Sequence, residues 1–382
     1  MSLSTSSIRR HFATLEDPRR KHCRLHNLLD IIVIALCGVI ANCDSWQDIE
    51  TFARKRHDWL KRFLALPNGI PSHDTLERLF NHLDPVALQR CLLAWLHEIS
   101  GSLNLPHIAI DGKTQRRSGS PKRGLDALQI VSAWAVKQDL TLGQVVVAEG
   151  SNEIPAIPAL LEMLDLHGAL VTIDAIGCQK EIAGTIIQGG GDYVLTVKDN
   201  QEHLRQDIAD CFTAAIEEDF EGWQADEYQS EEQGHGRYEK RSYIVIHEPP
   251  AGSIRNHDAW EGLKVIGLCY SERTLNGETS EELRYFIGSR KMSARAYGEA
   301  VRGHWRIENN LHWRLDVIFR EDDSRIQKRQ AQANFALLRK VALSLLKRQP
   351  DKESVRRRRL AASYDTSYLE QILSPNSNLE KP

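Results

Sequence analysis

Two short apolar runs that each stop at an aspartate constrain this chain most. His107–Ile110 ends in Asp111-Gly112, and Ala169–Ile173 ends in Asp174. Short apolar runs bounded by turn-forming residues read as buried strands. Between them lie two further β-rich runs, Ala127–Val136 and Leu142–Glu149, and a helical stretch at about Ile154–His167. A helix at about Gln179–Gln188 and a strand at Asp192–Val197 follow. The order is β-β-β-α-β-α-β, with the first three strands as an antiparallel meander. A strand-helix-strand crossover demands parallel strands and is right-handed in nearly all cases. The fourth strand can then lie beside the first and parallel to it. Both aspartates would project from one edge of the sheet, close together.

That order is the ribonuclease-H-like arrangement. The expected class is α/β: a mixed five-stranded sheet with flanking helices, an N-terminal all-α domain and a β-rich insertion. Residues 1–103 read as the helical domain, because Leu28–Cys43, Ser45–Leu64 and Asp74–Ser100 carry apolar residues spaced by three and four. Residues 104–221 hold the first part of the core. Residues 222–290, with short β runs at Tyr238–Ile246, Leu263–Tyr270 and Leu283–Ile287 among acidic loops, read as the insertion. Residues 291–349 close the core with helices at Ala294–Trp313 and Gln330–Lys347. Residues 350–382 carry Arg356–Arg359 and then turn polar, which predicts a loosely ordered tail.

Charge and cysteine usage narrow the setting. The formal charge of −3 does not mark a nucleic-acid binder, so any such binding must use local basic patches. The seven cysteines are scattered, without C-x-x-C pairs, which fits a reducing compartment. Leu28–Ala41 is short and contains Asp30, so it reads as a buried helix rather than a membrane span. The N-terminus lacks the pattern of a signal peptide. A cytoplasmic bacterial protein with no membrane contact is expected.

A third acid joins the two aspartates. On the predicted helix, Glu308 shares a stripe with Tyr297, Val301, Trp305, Leu311 and His312. A carboxylate on a stripe facing the sheet is costly to bury unless it is paired or binds metal. Asp111, Asp174 and Glu308 together suit Mg²⁺ (or Mn²⁺), which prefers oxygen ligands. Two such ions would activate an attacking oxygen and stabilise the leaving oxygen in an in-line attack on phosphorus.

Several motifs then appear in order: Gly69-Ile70-Pro71-Ser72-His73-Asp74-Thr75, Ile110-Asp111-Gly112-Lys113-Thr114, Ser151-Asn152-Glu153-Ile154 and Asp174-Ala175-Ile176-Gly177-Cys178-Gln179-Lys180. Val197-Lys198-Asp199-Asn200-Gln201, His235-Gly236-Arg237, His304-Trp305-Arg306-Ile307-Glu308-Asn309 and Leu311-His312-Trp313-Arg314-Leu315-Asp316 follow. From about residue 10 to 345 the chain resembles the H-repeat-associated branch of insertion-sequence DDE transposases. The resemblance implies Asp111, Asp174 and Glu308 as catalytic, metal-holding acids, with two Mg²⁺ or Mn²⁺ ions. It implies cutting and joining of double-stranded DNA at inverted-repeat ends and target, by a homodimer. A metal-dependent nuclease on the same fold and a silent DNA-binding relic of a transposon are the alternatives. Many relatives carry a Tyr, Arg, Glu, Lys signature around the last acid. Here His304 and Leu315 stand at the Arg and Lys positions, and Arg306 and Arg314 are the neighbouring cations.

DNA contacts are expected from basic residues. Lys113, Arg116, Arg117, Lys122 and Arg123 follow the first aspartate with no acid between them, and suit either phosphates or a solvated loop. Lys198 and His304 lie in the motifs around the acids. His235 and Arg237 fall in the insertion, where the resemblance suggests contact with transposon ends and a β-turn is the other reading. Arg19, Arg20, Lys21, Arg24 and the Arg356–Arg359 run are further phosphate candidates of the sequence-independent kind. Trp223 and Trp260 favour core packing over base stacking.

Overall fold

The computed structural model describes residues 5–101, 105–119, 124–234 and 236–374. The helices are α1 (Thr5–His11), α2 (Leu28–Ile40), α3 (Trp46–Lys55), α4 (His57–Leu60), α5 (His73–Phe80), α6 (Pro85–Ser100), α7 (Ala156–Leu161), α8 (Lys180–Gln188), α9 (Glu202–Glu217), α10 (Ala294–His304), α11 (Trp313–Val317), α12 (Arg329–Lys347), α13 (Val355–Tyr364) and α14 (Thr366–Leu373). The strands are β1 (His107–Thr114), β2 (Gln129–Ala135), β3 (Leu140–Val146), β4 (Leu170–Ile173), β5 (Asp192–Val197), β6 (Ala225–Gly234), β7 (Arg237–His247), β8 (Val265–Leu275) and β9 (Glu278–Gly288).

One sheet organises the chain, with strand order β3-β2-β1-β4-β5-β9-β8-β7-β6. The meander and the crossover take the expected arrangement. β1 pairs with β2 antiparallel and with β4 parallel, in a register from His107↔Leu170 to Ile110↔Ile173. β5 continues parallel to β4. The strand count corrects the expectation: the sheet has nine strands rather than five. β5 alone would leave an open edge of unpaired N–H and C=O groups. Tyr285–Gly288 of β9 pair with that edge, and β8, β7 and β6 follow as an antiparallel meander.

α2 is apolar on nearly every side and is buried along almost its whole length, as a helix must be when it lacks a polar face. It packs on α12, which also contacts α6, α5 and β3. α12 is thus an axle between the N-terminal helices and the sheet, held by polar bonds as well as apolar packing. Asn334 Nδ2 donates to the carbonyls of Phe80 (3.0 Å) and Leu83 (2.8 Å). Lys340 Nζ donates to Ser132 Oγ and Gln144 Oε1, both at 2.8 Å. Trp46 meets Phe335 edge-on at 4.8 Å. One apolar core runs from Ile8 through the sheet to Leu373.

Three further expectations change. The helix expected at 154–167 is only six residues long. The helix expected at Ala294–Trp313 is interrupted at Trp305 and passes through a π turn at Glu308–His312 into α11. In the tail, α13 and α14 are folded onto the core: Val355, Ala362, Leu369 and Ile372 are buried, and α13 packs on α2 and α12; residues 375–382 lie outside the described residues.

Candidate active site

Asp111 and Asp174 follow the last paired residues of β1 and β4, Ile110↔Ile173. In parallel strands this register sets the two carboxylates side by side at one edge. Burial changes there too: Ile110 and Ile173 are buried and the acids half-buried. Desolvation pushes the Asp174 carboxyl pKa up, and the Asp111 charge pushes it further. Backbone N–H groups of Gly177 and Ile176 and the Lys198 ammonium partly offset this. Asp174 Oδ1 is buried without a hydrogen-bond partner among the described residues.

Glu308 reaches the same place from the helical side. Residues 308–312 form one π turn, in which the N–H of Trp313 donates to the Glu308 carbonyl, five residues back. Such turns insert an extra residue into a helix and recur at functional sites. Here the turn keeps Ile307, Leu311 and Leu315 buried while Glu308 and His312 face β1. Glu308 is exposed rather than buried. A carboxylate oxygen of Asp111, one of Glu308 and a ring nitrogen of His312 lie within 4.8 Å of one another. A cavity of about 190 Å³ is lined by Asp111, Asp174, Glu308, Lys198, His304, Arg284 and Trp305.

Two residues of this cluster lie within the sequence motifs but carry no assigned role from sequence. Glu153, just before α7, presses its carboxyl against Gly112: a Cβ on Gly112 would stand 2.1 Å from Glu153 Cδ. Gln129 donates a hydrogen bond to it. Burial raises its pKa, and Asp111 and then Asp174 raise it further. His312 is 2% exposed, with Nε2 3.2 Å from Asp111 Oδ2. The available signal was phase. Gly112 marks a close approach by something, and His312 sits four residues after Glu308 on the same stripe.

This donor set fits a divalent cation. Several carboxylates and an imidazole converge, burial and mutual repulsion raise Asp174 and Glu153, and one buried carboxylate oxygen lacks a donor. Unpaired buried charge is what a bound cation neutralises.

The basic residues divide. Lys198 and His304 line the cavity. His304 Nδ1 lies 3.3 Å from Thr172 Oγ1, and burial lowers the pKa of the ring. Lys113 is engaged inside the protein, with its Nζ 2.6 Å from Asp316, 3.2 Å from Asp322 and 3.4 Å from Glu321. Despite its burial, these acids hold its pKa above the ordinary value. Burial raises the Asp316 pKa, and Asp322 and Glu321 add to this, despite its contact with Lys113. Arg116 and Arg117 pair with Asp322 and Asp323. Lys122, Arg123 and His235 lie outside the described residues. Arg237 pairs with Glu239 and borders a second cavity of about 400 Å³. That cavity also takes in Arg241, Arg273, Arg284, Arg302 and Arg306, and adjoins the first through Arg284, Val301 and Trp305. Its arginines come from the adjacent strands β7, β8 and β9 and from the end of α10 and just beyond, so no local run announced them. Arg314 is half-buried against Asn310, and burial lowers its pKa.

Outside the site, Arg19 is tied to Asp17 and the His26 carbonyl. Of the Arg356–Arg359 run, Arg356 and Arg357 are exposed, whereas Arg358 and Arg359 are buried. Trp260 is buried in the core, and Trp223 Nε1 donates to Glu218.

Residues 103–345 match the family described as "Transposase DDE domain", and residues 9–96 match the one described as "DDE_Tnp_1-associated". The chain is 37% identical to "Putative transposase YncI" of Escherichia coli O157:H7, over 99% of this chain and 97% of that one. It is 36% identical to "H repeat-associated putative transposase YhhI" of Escherichia coli K12, over 97% and 99%. Among solved structures it is similar to a piggyBac transposase synaptic complex with hairpin DNA, with TM-score 0.37 and 11% identity, covering 99% of this chain and 79% of that one.

Proposed function

The chain belongs to the transposase DDE domain family, in the company of H-repeat-associated relatives, and we propose that it cuts and joins DNA with Asp111, Asp174 and Glu308 as its metal-holding acids. The observation that carries this reading is the register of β1 on β4, which brings two aspartates to one edge, with Glu308 closing the same cavity. We read β1 to β5 with their helices as a ribonuclease-H-like core, extended by the strands of 222–290.

The residues have distinct tasks. Asp111, Asp174 and Glu308 would hold two divalent ions, Mg²⁺ or Mn²⁺. The chemistry such ions supply is Lewis-acid stabilisation of the charge that builds on phosphorus during in-line attack. Lys198, at the end of β5, offsets the negative charge beside Asp174 and is placed to meet a phosphate. The cavity next to the acids, where six arginines outnumber Glu239 and Glu282, offers a track for the DNA backbone, which such cations bind without reading sequence. The substrate is double-stranded DNA, as element ends and target, held by a homodimer in the bacterial cytoplasm. No described helix is long and apolar enough to cross a membrane.

The test uses DNA carrying the element's inverted-repeat ends. Asp111→Ala and Asp174→Ala should each abolish divalent-metal-dependent cleavage and strand joining, while a gel shift with the same DNA persists. Joining that survives either substitution refutes the assignment.

A further inference from the structure

We propose that His312 is itself a ligand in the metal site, so that the site offers an imidazole nitrogen beside its carboxylate oxygens and favours Mn²⁺ over Mg²⁺. The inference rests on the metal-site reading above and goes beyond its three acids.

His312 is almost wholly buried, at 2% exposure. Both of its ring nitrogens are inaccessible and have no hydrogen-bond partner among the described residues. Buried polar groups are almost always paired, so an imidazole in this state calls for a partner. Its Nε2 lies 3.2 Å from Asp111 Oδ2 without the alignment of a hydrogen bond. The same ring contributes a nitrogen to the cluster with Asp111 and Glu308, all within 4.8 Å. The π turn that begins at Glu308 ends at His312, so one local distortion sets both side chains on the same side. By contrast, His304 is satisfied by Thr172 Oγ1. A neutral imidazole is among the commonest metal ligands. Mg²⁺ demands an oxygen octahedron and retains its waters, whereas imidazole suits transition-metal ions.

The test uses full-length protein and Mn²⁺ alone, followed by electron paramagnetic resonance. Wild-type protein should bind Mn²⁺ and show nitrogen-14 modulation in the spin-echo signal, replaced by nitrogen-15 modulation when the protein carries labelled histidine. His312→Gln should keep Mn²⁺ binding but lose the modulation, and competition with Mg²⁺ should show its preference for Mn²⁺ falling by about tenfold or more. The labelled wild-type measurement stands even if that variant folds poorly. Asp111→Asn, which should abolish binding, marks the site. Mn²⁺ held in an Asp111-dependent way without imidazole modulation overturns the role of His312 and leaves the carboxylate site standing. Modulation lost in His304→Asn but kept in His312→Gln overturns it too. No Asp111-dependent Mn²⁺ binding overturns the metal-site reading itself.

Discussion

Replacing Gly112 by alanine drives a methyl group into the Glu153 carboxyl. The added Cβ would stand 2.1 Å from Cδ and Oε1 of Glu153 and 2.4 Å from Oε2. Non-bonded carbon atoms rest at about 3.5 Å or beyond, so the carboxyl must retreat by roughly 3.5 − 2.1 = 1.4 Å. The strand backbone accepts alanine, because Gly112 does not have positive φ. At such a position the substitution by itself stabilises by about 0.4–1 kcal/mol, through the unfolded chain. Overpacking opposes this with about 1–3 kcal/mol, and the hydrogen bond from Gln129 is strained as well. Gly112→Ala should therefore destabilise by about 1–2 kcal/mol. In a Glu153→Ala background the obstruction is gone, and the same substitution should be neutral or slightly stabilising. Urea unfolding of all four proteins, followed by tryptophan fluorescence in metal-free buffer, measures the coupling. Equal costs in the two backgrounds would refute the close approach of Glu153 to β1.

Arg359 donates to the carbonyls of Val39 and Ile318 and to Asp44, whereas Arg356 is exposed. Arg359→Ala should lower stability by about 2–3 kcal/mol, and Arg356→Ala should leave it within about 0.5 kcal/mol; thermal unfolding distinguishes the two, and similar melting points would contradict the contrast. Burial pushes Lys340 down to about 8, with Glu321 partly opposing. Between pH 8 and 10.5 the unfolded chain then holds a proton that the folded chain has released, so this group makes stability rise with pH across that window. Lys340→Met should flatten that rise relative to wild type, read as the urea midpoint against pH; parallel curves would show that the buried ammonium is not perturbed.

The core of the site was legible because it depends on local pattern plus a handedness rule. Short apolar runs gave the strands, the crossover gave the β1–β4 pairing, and the two aspartates followed. Glu308 was placed on an apolar stripe, although the widened turn after His304 leaves it exposed rather than buried. What escaped depends on contacts between distant segments. Glu153 gains its place only when the start of α7 is laid on Gly112. The β5–β9 pairing joins residues some ninety positions apart, and nothing in the polar sequence of β6 announces that it extends the sheet. The basic tail misled for a different reason. Four consecutive arginines look solvated, but a helix turns two of them inward, where backbone carbonyls receive their guanidinium groups.

The axle formed by α12 has a consequence for how the protein is made. α2 finds its main helical partner in a segment that begins 289 residues after α2 ends, from Ile40 to Arg329. At about 5–20 residues per second, a ribosome needs roughly 14–58 s to supply that partner. Until then α2 has α3 on one side, but the face that α12 covers is open to chaperones, proteases and other nascent chains. The N-terminal helices pack on one another but are expected to complete their core only when α12 arrives. A truncation before α12 should yield an aggregation-prone fragment rather than a folded helical domain.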